Sequence, residues 1–250
     1  MSKFIDRELY LGSQIELIDL ILTNTQSKKK TSYYALNADC MLNYWKDDGY
    51  RDIINKNENM IYVDGMGIIF AQRILQIPTA IERIATTDLF PALMEEINHR
   101  KDVVRVFLLG SKGDTAERVL KRFSEKYPHV NFVGCHHGYF EKETESEKII
   151  GIINKTNADI LFVGFGNPDQ EKWVDLHHQD LDMSSIITCG GLFDYYSNNV
   201  KRAPVVMQKT GFEWLYRLSQ EPTRLFGRYA FGNLSYAMKI ASLKFVKSSR

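Results

Sequence analysis

Apolar residues along the chain follow two alternating patterns from residue 31 onward. Short runs of β-branched and aromatic residues predict strands at 31–36, 60–63, 103–109, 130–134, 159–164 and 185–189. The segments between them, such as 114–126 and 143–154, carry apolar residues three and four positions apart and predict helices long enough to connect parallel strands. This alternation indicates an α/β fold with a mostly parallel sheet and flanking helices.

The segment before the first strand predicts a further helix. Ser13 and Glu16 have the spacing of a capping box, and the apolar pattern continues through Leu22.

The longest apolar runs, such as 160–165, are far shorter than the roughly 20 residues that cross a bilayer. The first residues contain no signal-peptide core. These features predict a cytoplasmic protein.

Polar residues and glycines follow the predicted strands directly. Parallel α/β sheets bind ligands at the carboxyl ends of their strands, so these residues are the candidates for a binding site. They are Asn37, Asp39, Asp64, Gly65, Gly110, Gly113, Gly164, Gly166, Gln170, Glu171, Gly190, Gly191 and Asp194.

Two glycine-containing turns could bind a ligand. The turn from Gly110 to Gly113 could present backbone amides to a phosphate or could be a plain tight turn, and its spacing matches neither the dinucleotide fingerprint nor a Walker P-loop. In the segment 164–171, glycines would let a ligand approach the backbone. Pro168 suits the first turn of a helix that would direct Gln170 and Glu171 at the strand ends.

Asp64 follows an apolar strand, so its carboxylate is expected at the sheet edge. A carboxylate there could act as a general base. It could equally cap a helix that begins near Met66. Position along the chain leaves both roles open.

The composition, with 44% hydrophobic and 25% charged residues in a chain of 250, is that of a globular protein and excludes a disordered or fibrous one.

The net charge of +1 is unevenly distributed. Residues 201–250 contain ten Lys or Arg and two Glu, interspersed with aromatic residues. We therefore predict a body at 1–200 and a basic appendage at 201–250. The appendage could lie on an anionic membrane, bind RNA, or simply pack on the body.

The sequence offers poor metal ligands. The three cysteines are widely separated, which suggests neither a disulfide framework nor a cysteine metal site. Asp180 and Asp182 are spaced like the metal-binding pair of some sugar-nucleotide transferases but follow a helical stretch rather than a strand. Adjacent histidines, as at 136–137 and 177–178, cannot chelate as an i,i+4 pair would. We predict no metal and no other cofactor.

Several motifs occur together in an order that is typical of one family. They are Asn37, 63–65 (Val-Asp-Gly), Glu82 and Arg83 with Asp88, 138–140 (Gly-Tyr-Phe), 166–171 (Gly-Asn-Pro-Asp-Gln-Glu), Gly190 and Gly191 with Phe193 and Asp194, 202–204 (Arg-Ala-Pro), 213–217 (Glu-Trp-Leu-Tyr-Arg), and Glu221 and Pro222 with Arg228 and Tyr229. From Asn37 to Tyr229, the chain resembles the WecG/TagA/CpsF glycosyltransferases, also called glycosyltransferase family 26. It departs from their pattern at Ala35, often Thr, and at Thr86, often Gly.

The resemblance implies a Rossmann-like fold and a bacterial, metal-independent, inverting glycosyltransferase. Such an enzyme moves an N-acetylmannosamine-type or related sugar from a UDP-sugar to a polyprenyl-diphosphate-linked saccharide in cell-surface polysaccharide synthesis. It implies a peripheral position on the inner face of the cytoplasmic membrane, with an anionic membrane surface as a partner and no nucleic acid. A homo-oligomer is an open option.

The resemblance also assigns roles to residues. Asp64 is the expected catalytic base. The resemblance and the strand-end positions together give the expected substrate-binding residues, which are Asn37, Arg83, Gly110, Gly166, Gln170, Glu171, Gly191, Arg202, Arg217, Arg224 and Arg228. The arginines of the appendage would close over the diphosphate. Two alternatives remain at this stage: a nucleotide-dependent oxidoreductase on the same fold, and an RNA-binding module that uses the basic, aromatic tail.

Overall fold

A computed structural model describes residues 4–248, apart from the side chains of Lys209, Arg224, Arg228, Tyr229, Ala230, Lys247 and Ser248. Its centre is a six-stranded sheet in the order β2-β1-β6-β5-β3-β4, and every pairing is parallel. The strands are β1 (Thr31–Leu36), β2 (Asn59–Val63), β3 (Arg105–Gly110), β4 (Asn131–His136), β5 (Ile160–Gly164) and β6 (Ser185–Thr188). The predicted Rossmann-like α/β fold is confirmed.

Helices follow most strands and cover both faces of the sheet. In chain order they are α1 (Gln14–Gln26), α2 (Ala38–Lys46), α3 (Asp48–Asn55), α4 (Met66–Leu75), α5 (Thr86–Arg100), α6 (Thr115–Lys126), α7 (Ser146–Lys155), α8 (Asp169–Leu176), α9 (Leu192–Tyr196), α10 (Val205–Thr210), α11 (Glu213–Gln220) and α12 (Pro222–Ser248). The predicted capping box is present, with Ser13 and Glu16 at the start of α1.

Successive strand residues point to opposite faces, so the sheet divides the core into two clusters. Tyr34 and Leu36 of β1 join one cluster, and Tyr33, the residue before Tyr34, joins the other. The first cluster includes residues of α2, α3, α4, α7 and α8, and the second includes residues of α1, α5, α6 and α9. The strands are apolar on both sides because both faces are covered.

The appendage predicted at 201–250 forms α10, α11 and α12. One face of α12 is buried in the first cluster through Tyr236, Ile240 and Leu243. The Tyr236 ring stacks on Trp45 of α2 with the ring centroids 5.7 Å apart, and its hydroxyl donates a hydrogen bond to the Gly67 carbonyl. Part of the appendage is therefore built into the core of the body.

The other face of α12 carries exposed apolar residues. They lie three, four and seven positions apart, which places them on one stripe opposite the buried face. They are Phe231, Leu234, Met238 and Phe245. Within residues 4–248, no helix, α12 included, has the length and apolar character to cross a membrane.

Two arginines of α6 fasten the junction between body and appendage. Arg118 donates hydrogen bonds to the Ser197 carbonyl and to the Asn199 side chain, at 3.1 and 3.0 Å. Arg122 donates to the Tyr196 carbonyl at 2.9 Å. These bonds fix the point at which the chain leaves the sheet for α10.

Candidate active site

A cleft of about 570 Å³ lies at the carboxyl ends of the strands, between the body and the appendage. Seven of the predicted site residues line it: Asn37, Asp64, Arg83, Gly166, Gln170, Gly191 and Arg217. Gly110, Glu171 and Arg202 lie behind the lining, where each contacts a residue that does line it. The side chains of Arg224 and Arg228 are outside the described part of the chain.

Asp64 lies at the floor of the cleft, directly after β2. Its backbone N–H donates to the Leu36 carbonyl at 2.9 Å, which holds the end of β2 against β1. The residue at the N-cap of α4 is Gly65, and no side-chain hydrogen bond from the described residues caps that helix. The structure thus gives the Asp64 carboxylate no capping role and leaves it facing the cleft.

The pKa of Asp64 is raised to about 7. The largest cause is burial, which disfavours the charged carboxylate. Arg83 and Arg202 oppose the rise, and Glu213 and Asp88 add to it. A carboxylate with a pKa near neutrality is suited to take a proton in a catalytic step.

The four charged residues that act on Asp64 form a connected ion network. Arg83 donates to the Glu213 carboxylate at 2.8 Å and lies 3.6 Å from the Asp88 carboxylate. Arg202 makes a bidentate contact with Asp88, with one bond of 2.6 Å, and its Nε lies 3.8 Å from Glu213. Arg83 and Asp88 belong to the body, and Arg202 and Glu213 belong to the appendage. The network therefore joins the two parts beside Asp64.

Gln170 connects two turns of the cleft wall. Its side-chain oxygen accepts hydrogen bonds from the backbone N–H groups of Gly166 and Gly190, at 3.2 and 2.9 Å. Its amide group donates to Glu171 at 2.7 Å, and Asn167 donates to the same carboxylate at 2.8 Å. Burial raises the pKa of Glu171 to about 7, and these hydrogen bonds oppose the rise. Gln170, held by Glu171, fixes the positions of these two turns relative to each other.

We expect Gln170→Met to lower the free energy of unfolding by about 1–3 kcal/mol, because two backbone donors would lose their shared acceptor. Methionine retains most of the volume of glutamine, so the cavity contribution is small. Urea denaturation gives the measurement. Lys172→Met, at an exposed position two residues later, is the control and should cost no more than about 1 kcal/mol. Equal stability of the Gln170 variant and wild type would contradict this role.

Glycines allow three strand ends to approach one another closely. A Cβ at Gly110 would lie 2.6 Å from the Gly164 carbonyl oxygen, and a Cβ at Gly164 would lie 2.7 Å from that of Gly190. These contacts leave no room for a side chain. Gly110 is thus required by the packing of β3 against β5, whereas Ser111 reaches the cleft.

Arg217 of α11 lies on the appendage side of the cleft, over the turn that contains Gly191. A Cβ at Gly191 would lie 2.7 Å from one of its guanidinium nitrogens, so the glycine is what lets the arginine approach the turn. The guanidinium lies over the Tyr195 ring, 5.2 Å from its centroid, and 3.7 Å from the Glu221 carboxylate. It is held at the cleft with its charge directed at the strand ends.

Asn37 has a local structural role as well as a place in the cleft. Its side-chain oxygen accepts from the backbone N–H groups of Asp39 and Cys40, at 3.0 and 3.1 Å, and so caps α2.

Ala35 and Thr86, where the chain departs from the expected motif, both line the cleft. Thr86 shares a hydrogen bond of 2.8 Å with Tyr62.

The predicted site residues did not include several that line the cleft, such as Tyr139, Glu213, Trp214 and Tyr236. A signal for Glu213 was available, because Glu213 and Arg217 are four residues apart and must share one face of a helix. No local pattern could have placed Tyr236, since it reaches the cleft only through the packing of α12 on α2.

Within residues 4–248, no group of three or more His, Cys, Asp or Glu side chains is arranged to hold a metal ion. Asp180 lies 3.5 Å from His177, and neither Asp180 nor Asp182 lines the cleft. Metal independence stays a prediction that needs a solution experiment.

A nearly complete sequence match accompanies this geometry. Residues 4–250 match the model of the WecG/TagA/CpsF family of glycosyl transferases. The chain belongs to this glycosyltransferase family. The match decides between the glycosyltransferase and the two alternatives raised above, an oxidoreductase and an RNA-binding module.

Curated relatives of this glycosyltransferase share one name, N-acetylglucosaminyldiphosphoundecaprenol N-acetyl-beta-D-mannosaminyltransferase. A protein from Bacillus subtilis (strain 168) is 35% identical over 179 residues, which cover 72% of this chain and 67% of the relative. One from Staphylococcus aureus (strain MW2) is 28% identical over 217 residues, covering 85% and 82%. Another, from S. aureus (strain NCTC 8325 / PS 47), is 28% identical over 209 residues, covering 82% and 79%.

Proposed function

We propose that this glycosyltransferase moves an N-acetylmannosamine-type sugar from a UDP-sugar to a polyprenyl-diphosphate-linked saccharide, with inversion at the anomeric carbon. We take the transferred sugar and the class of acceptor from the name that the relatives above carry. The observation that carries the proposal is Asp64, a carboxylate with a pKa near 7 at the floor of a cleft that Arg217 covers.

Asp64 is the general base of the proposed reaction. Its ionised carboxylate takes the proton of the acceptor hydroxyl as that oxygen forms a bond to the anomeric carbon of the donor. The bond between that carbon and the diphosphate oxygen breaks in the same step, and the electron pair leaves with UDP. Attack from the face opposite the leaving group inverts the anomeric centre.

The departing diphosphate needs positive charge. Arg217 can supply it, because a guanidinium is protonated at every physiological pH and can bond phosphate oxygens bidentately. Charge placed where negative charge develops lowers the barrier more than charge that binds substrate and transition state equally. The proposal gives this role to arginine and assigns none to a metal.

A panel of UDP-sugars with a short-chain lipid-diphosphate saccharide tests the function. We expect UDP release to require both substrates, to be fastest with UDP-N-acetylmannosamine, and to continue in excess EDTA. NMR of the product should show an inverted anomeric centre. Release that stops with EDTA and returns with Mn²⁺ would refute metal independence, and retention of configuration would refute the single displacement.

We further propose that the appendage docks on an anionic membrane. The exposed stripe of α12 (Phe231, Leu234, Met238 and Phe245) and exposed residues before it, such as Val206, give the surface an apolar face. Ten Lys or Arg in residues 201–250 give it positive charge. Apolar side chains beside basic residues are typical of surfaces that lie at a membrane interface.

We expect the chain to sediment with anionic liposomes and to be released as salt is raised, because each basic residue contributes about 1 kcal/mol and salt screens it. Phe231→Ser with Met238→Ser should weaken binding at every salt concentration while the chain stays folded, since both side chains are exposed. Equal binding of this variant and wild type, or equal binding to neutral and anionic liposomes, would overturn the assignment of this surface.

A further inference from the structure

Glu213 is a charged residue of the cleft that the proposed reaction does not use. It is the first residue of α11, and its side chain is 22% exposed. Its carboxylate accepts a hydrogen bond of 2.8 Å from Arg83, whose side chain is 14% exposed. This contact joins the body to the appendage across 130 residues of sequence.

The charged groups that act on Asp64 come from four elements. Arg83 precedes α5, Asp88 lies in its first turn, Arg202 precedes α10, and Glu213 begins α11. The two arginines favour the ionised form of Asp64, and the two acids favour its protonated form. Two positive and two negative side chains therefore act on Asp64. The appendage supplies one of each sign, Arg202 and Glu213.

The contacts of Arg83 show what Glu213 adds. Arg83 also forms an ion pair with Asp88 at 3.6 Å, and Asp88 is already engaged by Arg202 through two bonds. Glu213 therefore makes the shorter contact that orients the Arg83 guanidinium. Its position depends on α11, so the orientation exists only while α11 rests on the body.

We propose that Glu213 is a positioning residue for the general base: with α11 in place, its carboxylate holds Arg83 and completes the charge balance around Asp64. This inference rests on the proposed role of Asp64. It gives the appendage a second task, because α11 supplies the carboxylate that offsets Arg202 beside the base as well as placing Arg217 over the cleft.

Profiles of kcat against pH test the proposal with the full chain, UDP-N-acetylmannosamine and the short-chain acceptor. Glu213→Gln removes a negative charge, so the acidic limb of the profile should move to lower pH by about 0.5 unit or more. Arg202→Gln removes a positive charge and should move the limb to higher pH. The double variant should return close to the wild-type profile. A residue that merely holds α11 in place would lower kcat without these opposite shifts.

Glu82→Gln is the matched control. It makes the same change of charge next to Arg83 in sequence, but the Glu82 carboxylate accepts from the backbone of Gln14 at the start of α1. Its profile should coincide with that of wild type. If Glu213→Gln prevents folding, Arg202→Gln and Asp88→Asn decide the question, with expected shifts to higher and lower pH respectively.

Carbon-13 NMR of labelled aspartate gives a readout that does not depend on turnover, with the Asp64 signal assigned by its loss in Asp64→Asn. Opposite displacements of the Asp64 titration in the Glu213 and Arg202 variants would support the proposal. Titrations that coincide with wild type, or that move in the same direction, would overturn it and leave Asp64 free to be the base. Full turnover in Asp64→Asn would instead remove the proposed function itself.

Discussion

Replacing Asp64 by Asn should lower kcat by about 10²- to 10⁴-fold, the usual contribution of a general base. Asn keeps the shape of the side chain but cannot take the proton of the acceptor hydroxyl. The Kd of UDP should change little, because the proposed contacts to the diphosphate come from arginine. Steady-state UDP release gives kcat, and calorimetric titration with UDP gives the Kd.

Stability provides a second signature of the same substitution. The folded chain binds the Asp64 proton up to a pKa of about 7, whereas the unfolded chain releases it near 3.8. Ionising Asp64 therefore costs stability as the pH rises from about 4 to about 7. Asp64→Asn lacks this cost, so its melting temperature should equal or exceed that of wild type at pH 8.

Wild-type kcat should fall as the pH drops below about 7, where the base becomes protonated.

Comparison variants decide whether Asp64 is the right carboxylate. Asp39 and Asp194 also line the cleft, and their Asn variants should lose less activity than Asp64→Asn. Near-normal turnover of Asp64→Asn, with a large loss in one of the others, would move the base to that residue.

Replacing Arg217 by Gln should lower kcat by about 10²- to 10³-fold, the scale of one lost electrostatic contact to a developing charge. The loss should fall on kcat more than on KM, because the diphosphate gains charge as the bond to the sugar breaks. Arg217→Lys should recover part of the rate, since it keeps the charge and loses the bidentate geometry.

Arg51→Gln is the control for the charge change, because Arg51 lies on α3 and pairs with Asp48 on the same helix. Its kcat should stay within about twofold of wild type. If Arg217→Gln raised the KM for the UDP-sugar and left kcat unchanged, Arg217 would bind the ground state only and would have no part in stabilising the departing diphosphate.

Most strands could be predicted from the sequence because both faces of the sheet are covered, so these strands contain a continuous apolar run. The errors have local causes. β3 begins at Arg105 rather than 103, since Val103 is apolar but 89% exposed in the preceding loop. β4 extends to His136 because it is an edge strand, where half-buried Cys135 and His136 can continue the pairing.

Apart from residues such as Arg83 and Arg217, which the family resemblance gave, the site could be predicted only from residues that follow strands. Asp64, Gln170 and Gly191 follow strands and do line the cleft. The bonds of Gln170 to two separate turns, and the contact of Arg83 with Glu213, join residues far apart in sequence. They depend on how α8 and α11 are placed in space, which apolar periodicity does not encode.

The insertion of Tyr236, Ile240 and Leu243 into the core also has a consequence for how the protein is made. Synthesis proceeds from the N-terminus, so Trp45 and its neighbours leave the ribosome long before α12 exists. Until then, the surfaces of α2 and α4 that α12 covers expose apolar residues to water. Helix α12 thus completes this part of the hydrophobic core only after the elements on which it packs have been made, and it brings Tyr236 into the cleft by the same packing. A nascent chain that lacks this helix would have neither a closed core nor a complete cleft.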